Sequence, residues 1–194
     1  MPVGVLALQG AFVEHERALR RCGVETRQIR KAEELSGIRA LLIPGGESTT
    51  IGRLMEDFTL TAALTRAIAG GLPAFGTCAG MILLAREIVG SDQLRLGFLD
   101  IAVERNAYGR QVDSFEVDLD IPVLGPPVFR AVFIRAPKIV AVGPGVEVLA
   151  VYEDKPVLVR QGHVWGCAFH PELTSDLRLH RYFLDSIANG PSLW

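Results

Sequence analysis

The run Gly76-Thr77-Cys78-Ala79-Gly80 lies between an apolar stretch at residues 72–75 and an apolar segment at residues 81–89. That order predicts strand, sharp turn, helix, with Cys78 at the apex. Glycines on both sides permit the tight turn of a nucleophile elbow, which lifts the reactive side chain above the edge of a sheet. A cysteine at the start of a helix also meets free N–H groups and the positive end of the dipole, which favour its thiolate. The chemistry this suits is nucleophilic attack.

A cysteine nucleophile needs a base to take its proton and later to protonate a leaving group. His170 fits that role, placed directly after the apolar run at 164–169. Glu172 follows two residues on, so in an extended stretch its side chain returns to the same side. There it would hold one ring nitrogen while the other faces sulfur. The turn Pro44-Gly45-Gly46-Glu47-Ser48 follows another apolar run, 40–43. The amide of Gly46, with that of Ala79 just after the nucleophile, could bind an oxyanion. Loss of one such donor typically costs about 2.7–4 kcal/mol in the transition state. Gln9 is a further candidate for supporting this loop.

Positioning these groups requires an α/β fold. Residues 3–8, 24–29 and 40–43 predict buried strands, alternating with helical spacing at Ala11, His15, Ala18, Leu19 and Cys22. Ser48 or Thr49 is expected to cap a helix bearing Ile51, Leu54, Met55 and Phe58, and a further helix runs from Leu60 to Ile68. Short connections in this alternation predict a mostly parallel central sheet with helices on both faces, a three-layer arrangement. Active sites in such sheets lie beyond the carboxyl ends of the strands, where Cys78, His170 and the Gly-Gly turn converge.

From Phe98 onward the texture changes. Val112, Phe115, Val117, Leu119 and Ile121 nearly alternate with acids, and short runs at 128–134, 139–142, 146–151 and 157–159 lie between Pro and Gly. These predict antiparallel strands in the second half. Thr174 or Ser175 is expected to cap a last helix bearing Leu177, Leu184, Ile187 and Ala188. No linker, repeat or low-complexity segment breaks the chain, so residues 1–194 are expected to form a single domain.

Composition narrows the function. The chain has 194 residues, 49% of them hydrophobic, and a net charge of −2, which gives no case for nucleic acid or an anionic membrane. No apolar run approaches the roughly 20 residues of a membrane span, and the start of the chain lacks a basic region of signal-peptide type. A cytoplasmic location is expected. Cys22, Cys78 and Cys167 are odd in number and lack metal-ligand spacing, so neither a disulfide scaffold nor a metal is expected. The glycine turns spell neither a P-loop nor a dinucleotide fingerprint, and no cofactor is expected.

The elbow pentapeptide together with His170-Pro171-Glu172 resembles the catalytic pattern of class I, triad-type glutamine amidotransferases. Further blocks narrow the resemblance: Leu8-Gln9-Gly10-Ala11, Pro44-Gly45-Gly46-Glu47-Ser48-Thr49, Glu104-Arg105-Asn106, Gly109-Arg110-Gln111-Val112-Asp113-Ser114-Phe115-Glu116 and Phe133-Ile134-Arg135-Ala136-Pro137. They are similar to the glutaminase subunits of pyridoxal 5′-phosphate synthases, and they span essentially the whole chain. The resemblance implies hydrolysis of L-glutamine to L-glutamate and ammonia through a thioester. It further implies delivery of the ammonia to a (β/α)₈-barrel synthase subunit in a large hetero-oligomer. It assigns Cys78 as nucleophile, His170 and Glu172 as its partners, and Gly46, Glu47, Ser48, Arg105, Ile134 and Arg135 as substrate contacts. Glu47 would accept from the substrate ammonium, and Arg105 or Arg135 would bind its carboxylate.

Blander readings hold for other residues. Cys22 and Cys167 read as small buried hydrophobes, His15 as structural on the apolar side of the first helix, and His163 and His180 as surface or satisfied residues. Rival functions are a glutaminase serving another acceptor, such as imidazole glycerol phosphate synthase, a redox-sensing or chaperone-type protein, and a silent interaction subunit. The specific blocks disfavour the first and the complete triad disfavours the second, while labelling of Cys78 by a glutamine-mimicking electrophile separates all three from the leading reading.

Overall fold

The structure, a computed structural model, describes residues 1–105 and 114–188. Asn106, the block Gly109-Arg110-Gln111-Val112-Asp113 and the last six residues therefore lie outside the described residues. Twelve strands and five α-helices are found among those described: β1 Val3–Leu6, α1 Phe12–Arg21, β2 Thr26–Ile29, β3 Ala40–Ile43, α2 Ser48–Asp57, α3 Leu60–Ala69, β4 Ala74–Thr77, α4 Ala79–Leu84, β5 Ala85–Ile88, β6 Leu99–Glu104, β7 Ser114–Leu119, β8 Phe129–Ile134, β9 Lys138–Val142, β10 Glu147–Tyr152, β11 Lys155–Gln161, β12 Val164–Cys167 and α5 Arg178–Ala188.

A seven-stranded sheet orders its strands β10-β11-β12-β4-β3-β1-β2. The five from β12 to β2 run parallel, and β10 and β11 join antiparallel. Residues of β1, β3, β4 and β12 are all buried, as expected of short apolar strands covered on both faces. One face carries Phe75 and Trp165, paired in register. α5 packs there through Phe183, whose ring centre lies 5.3 Å from that of Phe75 and 5.7 Å from that of Trp165. α1 shares this face, since His15 touches Thr77 and His180. The opposite face carries Gly76 and Gly166, and the absence of side chains lets α4 lie directly on the sheet: a Cβ on Gly166 would come 2.8 Å from Met81 Cγ. α2 packs on α4 in turn. Helices thus cover both faces of a largely parallel sheet, as predicted.

The antiparallel strands also form where expected. The hairpin β7–β8 stacks Phe115 on Phe133 at 4.8 Å, while β9 belongs to a separate sheet of order β5-β6-β9. That sheet corrects the sequence reading. The apolar segment after Cys78 does not stay helical to residue 89: α4 ends at Leu84 and Ala85 turns extended, with ψ 149°. β5 then pairs in parallel with β6. The partner strand is distant in sequence, so its demand overrides local helical spacing.

The caps differ too. Glu47, not Ser48 or Thr49, occupies the position before α2, without a side-chain cap bond. Ahead of α5 it is Asp176, not Thr174 or Ser175, whose carboxylate accepts the Arg178 N–H at 3.0 Å, and Leu177 precedes the helix. Among the described residues no helix is long and apolar enough to cross a membrane.

Candidate active site

Strands β3, β4 and β12 are neighbours at the centre of the sheet, and their carboxyl ends open side by side. Cys78 follows β4 with φ 49° and ψ −105°, a conformation rarely adopted by a residue with a side chain. Two bonds hold it there: its N–H donates to the Cys167 carbonyl at 2.8 Å, and its own carbonyl accepts the Ile82 N–H at 3.1 Å. Gly80 abuts β3 so closely that a Cβ would overlap the Ile43 carbonyl. The thiol stands 3.8 Å from the Ile134 carbonyl. Ala79 opens α4, and its N–H is among the donors a helix start leaves unpaired.

His170 leaves β12 and is tied to β8 by its N–H, which donates to the Val132 carbonyl at 2.8 Å. Glu172 sits in a 3-10 turn, Pro171–Leu173, rather than the extended stretch expected, because proline at the first position presets the turn. The pairing survives this change: His170 Nδ1–H donates to Glu172 Oε1 at 2.7 Å. Burial works to lower the His170 pKa. Bonds to the Cys78 sulfur and the Glu172 carboxylate, with their charges, outweigh it and raise the imidazole to about 10. Burial likewise works against the Glu172 carboxylate, but the neighbouring His15 imidazole and the bond and charge of His170 hold its pKa below the usual value. Cys167 is fully buried, and burial pushes its thiol well up, which fits the inert role expected of it.

The Gly-Gly turn is fixed from below. Gly45 N–H donates to Thr77 Oγ1 at 3.1 Å, the Gly45 carbonyl accepts the Ala11 N–H at 3.0 Å, and Glu47 N–H donates to Gln9 Oε1 at 2.8 Å. Gln9 therefore supports the loop, as expected. Above the turn lies a cavity of about 230 Å³, below the roughly 300–1,000 Å³ of drug-sized sites and suited to a small polar ligand. Gly46, Glu47, Ser48, Cys78, Arg105, Ile134, Arg135 and His170 all line it, with Ala79 buried beneath and Glu172 behind His170. Every site residue expected from the sequence is thus brought to one place. Glu47 and Arg135 pair with each other at 2.8 Å, both more than half exposed.

Sequence reasoning missed four residues. Gln93 Oε1 accepts from Arg105 at 2.8 Å and from Ser48 at 3.3 Å, joining two lining residues. Thr77, His15 and His180 form a buried cluster behind Glu172. His180 is neither at the surface nor fully satisfied, since its Nδ1 is buried without a partner. A histidine on an apolar helix face was the one signal that pointed to His15, and alone it does not reveal a polar partner. His163 is satisfied, bonded to the Ile68 carbonyl at 2.8 Å.

The sequence model of the SNO glutamine amidotransferase family matches residues 5–189. The chain belongs to this family. Among its relatives, a protein of Pelotomaculum thermopropionicum named pyridoxal 5′-phosphate synthase subunit PdxT is 66% identical over 185 residues, 95% of this chain and 94% of that one. A protein of the same name from Carboxydothermus hydrogenoformans is 60% identical over 98% of this chain and 100% of its own length. A crystal structure of a glutamine amidotransferase superposes with a TM-score of 0.92 at 56% identity, covering 97% of this chain and 100% of that one. In a glutamine amidotransferase, a cysteine on an elbow beside a carboxylate-held imidazole can run acyl transfer from an amide.

Proposed function

We propose that this chain is the glutaminase of a pyridoxal 5′-phosphate synthase, hydrolysing L-glutamine to L-glutamate and ammonia and passing the ammonia to a synthase subunit. One observation carries the reading: Cys78 on its elbow and His170, held by Glu172, line one small pocket together with Glu47, Arg105 and Arg135 in a chain of this family.

In the proposed cycle the Cys78 sulfur attacks the amide carbon, and the amides of Gly46 and Ala79 hold the oxyanion. The C–N bond breaks as His170 gives its proton to the nitrogen, and ammonia leaves. Water then surrenders a proton to His170, attacks the thioester and releases glutamate and the thiolate. A raised His170 pKa suits the first half, since the ring must arrive protonated. Glutamine is held by its α-groups: Glu47 takes the ammonium and Arg135 or Arg105 the carboxylate, so substrate replaces each member of the Glu47–Arg135 pair for the other. Ser48 and Ile134 complete the contacts.

Ammonia set free in water at neutral pH is mostly protonated and no longer a nucleophile, so a sealed route to the acceptor is useful. We take the acceptor to be a (β/α)₈-barrel synthase subunit in a large hetero-oligomer, residues 1–194 to be one glutaminase domain, and the setting to be cytoplasmic. The lone chain is expected to idle, with the Gly45–Gly46 turn not fully arranged as an oxyanion hole. The bond from Ala11 N–H to the Gly45 carbonyl supports this, because reorienting that peptide has to break it.

Mixing the chain with a synthase subunit tests the reading. Pyridoxal 5′-phosphate should form with glutamine as nitrogen source, and a chloroketone analogue of glutamine should label Cys78 unless glutamine protects it. Product from ammonium salts but never from glutamine would reject it.

A further inference from the structure

Behind the proposed triad lie two imidazoles that the cycle does not use. His15, wholly buried on α1, places Nε2 3.0 Å from Thr77 Oγ1 and 3.4 Å from Glu172 Oε2. Its Nδ1 is 3.2 Å from His180 Nε2. Thr77 Oγ1 in turn accepts the Gly45 N–H. One ring therefore touches both the carboxylate that orients His170 and the hydroxyl that anchors the Gly-Gly turn. Oε2 of Glu172 is fully buried and accepts no regular hydrogen bond among the described residues, so the 3.4 Å approach of His15 Nε2 is an electrostatic contact.

The proton on this ring can be placed by elimination. Burial, assisted by the charge of His170 and opposed by that of Glu172, keeps His15 neutral, and burial does the same to His180. One proton then serves each ring. If His15 carried it on Nδ1, His180 would have to accept at Nε2 and keep its own proton on Nδ1, which is buried with no partner. A buried donor left without an acceptor is costly, because it has given up its bond to water and gained none. The bare Nε2 of His15 would also face the Glu172 carboxylate, lone pair to negative charge. With the proton on Nε2 both faults vanish: His180 Nε2–H donates to His15 Nδ1, and His15 Nε2–H faces Glu172 Oε2 and Thr77 Oγ1.

We propose that His15, as its Nε2–H tautomer, is a positioning residue for glutamine hydrolysis, one N–H steadying both the Glu172 carboxylate and the Thr77 hydroxyl beneath Gly45. The triad's acid and the oxyanion turn then share a single fixed point, and His180 sets the tautomer. This rests on the reading of Cys78, His170 and Glu172 given above.

The test uses the chain together with the synthase subunit, with glutamate release as readout and the melting temperature of each variant measured in parallel. His15→Leu keeps bulk but removes the N–H, and His15→Gln returns an N–H at the position of Nε2. Leucine should lower kcat by about 10- to 100-fold, the range seen when outer partners of a fixed histidine are lost, with KM for glutamine within about twofold. Glutamine at position 15 should recover most of that loss. Equal losses in the two variants, a change in KM alone, or an unaltered kcat in His15→Leu would overturn the proposal. Should His15→Leu fail to fold, nitrogen-15 spectra of the imidazoles in the unsubstituted protein decide it: a proton on Nδ1 of His15 refutes the tautomer. Cys78→Ala serves as the separate control, since activity surviving in it would reject the triad itself.

Discussion

Gly45 and His170 stand in contact across the mouth of the pocket: a Cβ on the glycine would overlap the imidazole Cε1 and come within 2.9 Å of Nδ1. The backbone of Gly45 is not left-handed, so alanine is conformationally acceptable there and the conflict is with one side chain. Gly45→Ala should displace the ring, and a misplacement of about 1 Å can cost on the order of 100-fold in kcat. Stability should fall by only about 1–3 kcal/mol. Gly80→Ala should act oppositely, because its Cβ meets the Ile43 backbone, which cannot swing aside. It should fail to fold, and the two melting curves would separate these effects.

Replacing the Cys78 thiol by a methyl should remove at least about 10⁴-fold of kcat while leaving the melting temperature near that of the parent. Glutamate release in the presence of the synthase subunit measures the first, and circular dichroism the second.

Glu172→Gln leaves the shape of the pair and deletes its charge. His170, now raised to about 10, should lose protons at lower pH, since two of its supports are the bond and charge of Glu172. A raised histidine pKa adds stability that is complete below about 6.5 and drains as pH climbs toward about 10. Chemical denaturation at pH 6 and pH 9 should therefore show a smaller alkaline loss in the variant than in the parent.

Much of this site could be read in the chain because its parts are local. The elbow needs only glycines around Cys78, the acid lies two residues from its base, and the oxyanion turn announces itself as Pro-Gly-Gly after a buried strand. What escaped was what the tertiary structure alone creates. Ala85–Ile88 has helical spacing yet pairs with Leu99–Glu104, a strand whose alternating burial was present in the sequence but short and unflanked by clear turns. His15 meets Glu172 across 157 positions of chain, and nothing near either residue signals the encounter. Gln93, in a loop, reaches Ser48 and Arg105 for the same reason.

Acid should unfold the protein partly through His180. Burial lowers this histidine to about 3, so its contribution is present above about pH 6.5 and is lost as pH falls toward 3. Between pH 7 and 4.5 the loss should be about 3 kcal/mol. In His180→Phe that part of the acid slope should disappear, as measured by the urea midpoint at both pH values.

Glu47 and Arg135 form an exposed ion pair, worth less than about 1 kcal/mol to stability. Removing either side chain should leave the melting temperature almost unmoved and raise KM for glutamine about tenfold or more, with kcat falling less. A large drop in melting temperature without a change in KM would place the pair outside substrate recognition.

The three strands that end beneath the pocket are the third, fourth and fifth of seven, flanked on each side by two more. Fraying begins at the rim of a sheet, at β10 and β2 here, where amides exchange earliest with solvent. Turnover should consequently persist in mild denaturant after the rim has begun to open, and vanish together with the slowest-exchanging amides at the centre.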